Sequence, residues 1–597
     1  MQPRRDSAAN PLARANGPSE ARLAALAGRA ILLALLLLAG AAVAASAAIA
    51  KPNVLLVTTD DQTLDEMAAM PYTSSWIGGQ GTTFDRAYVS YPLCCPSRAS
   101  ILSGRYMHNH GVRGNGGDFG GWQAFVGGGT EASALPTWLR AAGYYNVQIG
   151  KYMNGYNSVV PPGWDEWYGK QSEFNIAYYG ARLYYNYRLL EDPPVGPPQA
   201  EETCPHPNPN PPGEPFICHY TQRGSDYQTD VFRAKAVDAI HRLSGTGQPF
   251  FLKVDFNAPH SPYVPAARHQ AAAAGIELEE IPGGNEKNID DKPRFLRRLP
   301  RMDNGKRERI EWDRQLRWAM LFSVDEAVDA MMRALLAENQ LQNTYVIFTS
   351  DNGYFHGEHR IRSGKYLPHE PSSHVPLLMR GPGIPPNGHS QELVSNVDIA
   401  DTIRQVAGAS ASLPQDGRTL LPFAAQPDLS TTRPLLLEGD TGPGVDTGEG
   451  EEEDIADERK LKRFRKQLKK QKRELRRRCK RLKRESPTRA LLCFKRGVRN
   501  LEQEPTDSKY RVRAPAYRSL RTDRYLLTLY STGEIELYDM RRDSHQLHSL
   551  HDRRRYKPIR KWMLKRLNET ATCVGASCSS QIDPEPAKKK NKKKKKK

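Results

Sequence analysis

Between Pro52 and about Leu436, short unbroken apolar runs alternate with stretches whose apolar positions recur at helical spacing. Val54 to Val57 (VLLV), Phe250 to Phe256 (FFLKVDF) and Tyr345 to Phe348 (YVIF) are brief and mostly lack polar positions, so they predict strands buried on both sides. Ala134 to Ala142, Asp230 to Leu243 and Gln315 to Ala337 predict covering helices. The alternation predicts an α/β domain, a sheet with helices on both faces. From Tyr517 the chain reads YRSLRTDRYLLTLYSTGEIELYDM, apolar and polar residues alternating about a Thr-Gly turn. That pattern predicts antiparallel strands in a smaller C-terminal subdomain. No internal repeat is visible.

The N-terminus has a different pattern. Polar sequence with scattered arginines gives way at Ala30 to an uncharged apolar run reaching Ala50, with Ala-Ser-Ala at 45 to 47. It predicts a cleaved signal peptide, with an uncleaved signal anchor as the alternative because the run approaches the ~20 residues of a spanning helix. Residues 1–50 are therefore assigned to targeting, and a membrane enters only if the anchor is retained. Entry to the secretory route permits disulfides. Apart from Cys94 and Cys95, the cysteines fall into close pairs read as local staples: Cys204 with Cys218, Cys479 with Cys493, and Cys573 with Cys578. Asn568-Glu569-Thr570 makes Asn568 a candidate N-glycan acceptor.

A formal charge of +19 over 597 residues suggests a nucleic-acid binder until the charge is located. Residues 459–499 carry 21 Lys and Arg against two Glu, and residues 588–597 carry nine Lys. Removing +19 for the first segment and +9 for the second leaves −9 for everything else, so the basicity belongs to two appendages. Nucleic acid also fits poorly with secretion. Composition then divides the chain into a catalytic domain at 51–440, an acidic then basic insertion at 441–509, a C-terminal subdomain at 510–570, and a disordered tail with poly-lysine at 571–597. Leu461, Leu468, Leu475 and Leu482 give the basic segment a narrow apolar seam, which suits a solvated helix or an electrostatic binding element.

Candidate chemistry gathers at predicted strand ends, where α/β sheets bind ligands. Asp60 and Asp61 follow VLLVTT; Asp351 and Asn352 follow YVIFTS. Three carboxylates and an amide carbonyl form a hard oxygen set that suits Ca²⁺ or Mg²⁺ rather than zinc, unless each pair only caps the next turn. Arg98, Lys151, His260 and Lys365 add cations; together with a divalent ion they would suit transfer of sulfate or phosphate, and singly each reads as an ordinary loop residue. For Cys94-Cys95 three readings stay open: a thiolate nucleophile near Arg98, a vicinal disulfide, or buried structural thiols.

The string Cys94-Cys95-Pro96-Ser97-Arg98, followed by Leu102-Ser103-Gly104-Arg105, resembles the sulfatase signature Cys-x-Pro-Ser-Arg with its downstream Leu-Thr/Ser-Gly-Arg. TTDDQ, GKYMNGY, VPPGWDEW, NAPHSPY, TSDNGYFHGEH and VPLLMRGPGI extend the resemblance in order, from about Lys51 to Ala425, and it resumes at RTDRY. LCCPSR and GKYMN are most similar to N-acetylglucosamine-6-sulfatase and the extracellular heparan endosulfatases. The resemblance implies an alkaline-phosphatase-like sandwich, a large mixed sheet flanked by helices.

It also implies that formylglycine-generating enzyme oxidises Cys94 to formylglycine, whose hydrate attacks sulfur with one hydroxyl and expels sulfate with the other. Asp60, Asp61, Asp351, Asn352 and residue 94 would hold Ca²⁺ in preference to Mg²⁺. Arg98 would stabilise the hydrate, Lys151 and Lys365 would neutralise sulfate oxygens, and His260, with Lys365 as an aid, would protonate the departing alkoxide. Where many sulfatases carry Lys-x-His, this chain reads Lys151-Tyr152-Met153; Asn154 and His108 are then candidates for substrate binding, with His110 a further pocket candidate. The implied function is hydrolysis of sulfate esters on sulfated sugars, with polyanionic glycans captured by 459–499. The implied location is secreted, cell-surface or lysosomal. Two alternatives remain: a silent glycan-binding homologue, and a phosphate or phosphonate ester hydrolase.

Overall fold

The computed structural model describes residues 51–156, 159–171, 184, 187–192, 216–220, 226–442, 514–583, 585 and 586. The predicted targeting segment and residues 443–509 of the acidic then basic insertion lie outside the described residues. In chain order the strands are β1 (Asn53–Thr59), β2 (Thr82–Phe84), β3 (Ala87–Tyr88), β4 (Tyr145–Lys151), β5 (Glu166–Lys170), β6 (Tyr187–Asp192), β7 (Phe216–Tyr220) and β8 (Phe250–Asp255). They continue with β9 (Thr344–Ser350), β10 (Leu377–Arg380), β11 (Gly388–Ser390), β12 (Val394–Ser395), β13 (Leu435–Gly439), β14 (Tyr517–Arg521), β15 (Tyr525–Tyr530) and β16 (Ile535–Asp539).

Among the described residues, ten strands form one mixed sheet in the order β11-β2-β10-β9-β1-β8-β4-β5-β6-β7. Its centre, β9-β1-β8-β4-β5, is parallel. Parallel strands need crossovers that cover both faces, and this is why their sequences read as continuous apolar runs. Successive residues of β1 accordingly serve two cores. Leu55 and Val57 pack with Val254, Phe348, Phe232 of the helix Gln228–Ser244 and Val324 of the helix Asn304–Ala337. Val54 and Leu56 pack on the other face with Phe251, Ile347, Leu102 of the helix Cys94–Ser103, Trp138 of Leu135–Ala141 and Ile403 of Val397–Ala407.

The three predicted strands and the helices near 134, 230 and 315 are all present. The last of them starts earlier, at Asn304, capped by Asp303, whose side chain accepts from Lys306 N at 3.0 Å. Its first turns (NGKRERIEWDR) are mostly charged, so the apolar stripe begins only further along.

The predicted C-terminal antiparallel sheet exists, with order β13-β14-β15-β16. Its first strand comes from Leu435–Gly439, at the end of the stretch read as catalytic domain. The tail expected to be disordered from 571 is instead structured through 583. A 3-10 helix, Gly575–Ser579, sits beside the Cys573–Cys578 disulfide, and Asp416 accepts from Gly575 N at 2.7 Å. Composition missed this anchoring because it depends on Asp416, far away in sequence. Cys218 is also disulfide-bonded, while its expected partner Cys204, like Cys479 and Cys493, lies outside the described residues. No helix among the described residues is long and apolar enough to cross a membrane.

Candidate active site

Strand register assembles the site. Thr59 of β1 lies opposite Ser350 of β9, so the next residues, Asp60-Asp61 and Asp351-Asn352, leave the sheet side by side. Asp255 of β8 lies opposite Thr58 on one side and Gly150 on the other, which brings Lys151 and the turn bearing His260 to the same carboxyl edge. Opposite this edge the chain enters the helix Cys94–Ser103, with Leu93 as an extended N-cap and Gly104 closing the other end at φ 66°. Cys94 is its first residue, and one turn later Arg98 points the same way.

Around Cys94 the side chains form one charged cluster, nearly all of it buried. The Cys94 thiol donates to Asp60 Oδ1 at 3.5 Å and accepts from Lys365 Nζ at 3.0 Å. Lys365 also donates to Asp61, and Lys151 to Asp60. Arg98 Nε donates to Asp351 Oδ2 at 2.8 Å, and its Nη1 to Asp255 Oδ1 at 3.2 Å and to the Lys151 carbonyl at 3.0 Å. Asp61 holds a left-handed backbone, φ 68°, which places its carboxylate over the edge while its N–H donates to Asp351 Oδ1 at 3.2 Å. His260 Nδ1 donates to the Ser261 carbonyl at 2.7 Å, fixing the ring with Nε2 3.8 Å from Asp61 Oδ2.

The electrostatics follow from burial opposed by neighbours. Burial alone would raise Asp60, but Lys151, His260, Arg98 and Lys365 together hold it well below the carboxylate range. Burial would lower Lys365, yet Asp61 and the other acids keep it charged well above neutrality. The Cys94 thiol is pushed far up, by burial first and Asp60 second. A thiol so held stays protonated, which disfavours the thiolate-nucleophile reading. Cys94 and Cys95 are both free, which removes the vicinal disulfide. Cys95 packs in the core, accepts from Asn154 N at 3.0 Å and is pushed up to about 11 by burial; it is a structural thiol.

The donor set fits a divalent cation. One ligand atom each from Asp60, Asp61, Cys94 and His260 lies within 4.8 Å of the others. Asn352 Nδ2 donates to Asp61 Oδ1 at 2.6 Å, while its carbonyl oxygen Oδ1 is buried without a hydrogen-bond partner. A buried orphan acceptor beside ionised carboxylates is what a hard cation would satisfy.

A model of the sulfatase family matches residues 52–409. The chain belongs to the sulfatase family. Human N-acetylglucosamine-6-sulfatase is 33% identical over 388 residues, 62% of this chain and 64% of that protein. A Caenorhabditis elegans protein named as a homolog of the extracellular sulfatase Sulf-1 is 35% identical over 382 residues, 62% of this chain and 49% of that protein. The chain thus spans about half to two thirds of these relatives. A solved structure described as a complex with its substrate D-glucosamine-2-N,6-O-disulfate superposes with TM-score 0.61 at 20% identity, covering 87% of this chain and 97% of that one. At that identity the likeness establishes a shared fold.

Of the residues singled out in the sequence, Asp60, Asp61, Cys94, Arg98, Lys151, His260, Asp351, Asn352 and Lys365 converge at the strand edge of this sulfatase-family chain. Asn154 is close by, but its backbone N–H meets Cys95 rather than Cys94. His108 is a correction. Both its ring nitrogens are engaged away from the site, Nδ1 with Glu438 Oε2 at 2.8 Å and Nε2 with the Cys573 carbonyl at 2.9 Å, so it ties the domain to the C-terminal sheet. His110 is likewise structural: it is buried against Ser100 Oγ at 3.1 Å, and burial depresses it to about 3. Asn568 is exposed in the last turn of the helix Lys557–Thr570, accessible to a glycan.

Sequence reading missed two supports. Asp255 braces Arg98 from beneath, also accepting from Gln148 Nε2 at 2.7 Å and from Lys253. Arg317, fully buried, pairs with Glu66 through Nε at 2.6 Å and also donates to the Asp61 carbonyl, holding that residue's unusual backbone. An acid closing an apolar strand run is a legible sign for Asp255; Arg317, inside a long charged helix, offers none.

Proposed function

We propose that this sulfatase-family chain hydrolyses sulfate esters of sulfated sugars, such as N-acetylglucosamine-6-sulfate or heparan-like glycans, after formylglycine-generating enzyme converts Cys94 to formylglycine in the secretory pathway. The observation that carries the proposal is the setting of Cys94: a buried thiol at a helix N-terminus, held between Lys365 and Asp60 inside a cluster of lysines, an arginine and carboxylates. Formylglycine supplies a geminal diol, one hydroxyl to displace the alcohol from sulfur and a second to release sulfate, which a thiol cannot. Ca²⁺ would be held by Asp60, Asp61, Asp351, Asn352 and residue 94, and would supply polarisation of a sulfate oxygen.

The chain's own residues do the rest. Lys151 and Lys365, kept charged by Asp60 and Asp61, neutralise sulfate oxygens as charge builds on them. Arg98, fixed by Asp351 and Asp255, holds the hydroxyl groups at position 94. His260, with Nδ1–H held by the Ser261 carbonyl, delivers the proton of its Nε2 to the departing sugar alkoxide. A secreted, cell-surface or lysosomal destination fits the N-terminal apolar run.

The leaving group provides the test. A sugar alkoxide needs the proton from His260 and a nitrophenolate does not. His260→Ala should therefore lower turnover of N-acetylglucosamine-6-sulfate about 10²-fold and that of 4-nitrophenyl sulfate less than about 10-fold. Wild-type protein that turns over 4-nitrophenyl phosphate faster than the sulfate would favour phosphate or phosphonate ester hydrolysis, since the same cations serve both anions. For 459–499 the proposed role is capture of sulfated polymer. Deleting it should weaken heparin retention at low salt and leave 4-nitrophenyl sulfate turnover unchanged; retention that survives the deletion contradicts that role.

A further inference from the structure

A further lysine stands beside the site with no role assigned. Lys170 ends β5 in register with Lys151, which ends β4, and both side chains project to the face that carries Val147, Ile149 and Tyr168. Unlike Lys151 and Lys365, each bonded to a carboxylate, Lys170 has no carboxylate within 4.0 Å among the described residues, although it is only partly exposed. Packing among protein atoms and the neighbouring Lys151 lower it to about 8, and a bound anion would offset both effects. Every other cation drawn into the edge has its acid: Arg98 has Asp351 and Asp255, and buried Lys253 has Asp255.

Distance along the sheet separates this group from the reacting centre. Asp60 follows β1 directly, and Lys151 reaches it from β4 across β8. Lys170 is one strand further out, roughly 5 Å beyond Lys151 at the usual strand spacing. An ammonium there lies beyond the place where Lys151 and Lys365 would clasp the scissile sulfate.

We propose that Lys170 binds a second sulfate group on the sugar that bears the scissile one, so that this sulfatase prefers disulfated over monosulfated units. The inference rests on the sulfated-sugar reading above and adds a specificity determinant to it. A single ammonium-sulfate contact in a partly desolvated site gives about a tenfold preference.

Calorimetry separates this proposal from the chemistry, because affinity can be read without turnover. In the Cys94→Ala protein, glucosamine-2-N,6-O-disulfate should bind about tenfold more tightly than N-acetylglucosamine-6-sulfate. Adding Lys170→Met should erase that ratio while leaving affinity for the monosulfate within about twofold, and Lys170→Arg should restore most of it. Equal weakening of both sugars by Lys170→Met would place the lysine on the scissile sulfate and overturn the proposal, as would an unchanged ratio. Failure of either sugar to bind Cys94→Ala protein that melts like wild type would overturn the sulfated-sugar reading and this proposal with it. If both sugars bind and the ratio is unchanged, only the role of Lys170 falls.

Discussion

Asp255 shows how the site depends on a residue that touches no substrate. It is fully buried, and its two oxygens hold Arg98, Gln148 and Lys253 at once. Asp255→Asn keeps the shape but removes the charge that orients Arg98 from below. We expect kcat for 4-nitrophenyl sulfate to fall about 10- to 10²-fold with KM within about threefold, because Arg98 is needed most as charge develops. A KM effect of the same size as the kcat effect would assign Asp255 to ground-state binding instead. At this scale the sequence was informative where acids follow apolar runs: Asp60, Asp61, Asp351 and Asn352 all stand where such reading placed them. His108 misled because a histidine beside the signature looks like a pocket residue, whereas only the fold brings Glu438 and the Cys573 carbonyl to its two nitrogens.

Elements were legible in proportion to how local their cause is. The apolar-polar pattern and its Thr-Gly turn identified β14, β15 and β16; Leu520, Leu527 and Leu537 share one cluster, and Leu526 and Tyr538 pack in another. β13 escaped because Leu435 and Leu437 pack in one cluster and Leu436 in another, so LLLEG reads as a continuous run with no period. The short helical turn bearing His108 is pinned to β13 by the His108–Glu438 pair. Burial opposes the imidazolium, but the hydrogen bond and charge of Glu438 outweigh it and raise the pKa. A folded value above the unfolded value of about 6.5 means the pair adds stability below that pH, and the increment is lost as pH rises through the folded value. His108→Gln should therefore lower the melting temperature by about 1–2 °C more at pH 5.5 than at pH 8.5. A loss that is equal at both values would mean that the pair acts as a neutral hydrogen bond.

At the scale of the whole molecule, the parallel centre of the sheet does the assembling. Acids from β1 and β9, Asp255 from β8 and Lys151 from β4 meet because four adjacent strands end on one edge, although their residues are scattered from 60 to 351. The helix Cys94–Ser103 supplies the remaining side from between the first two of these segments. Apolar runs and the signature were enough to anticipate that architecture, while the third dimension was needed for Arg317, Lys170 and the anchored segment at 571–583. Everything proposed for the chemistry turns on what occupies position 94. The direct measurement is mass spectrometry of the tryptic peptide from Ala87 to Arg98, taken from full-length protein secreted by a host that contains formylglycine-generating enzyme. An aldehyde at 94 with an intact thiol at 95 is the predicted result; intact thiols at both 94 and 95 would contradict the proposed hydrolysis and favour a silent glycan-binding protein.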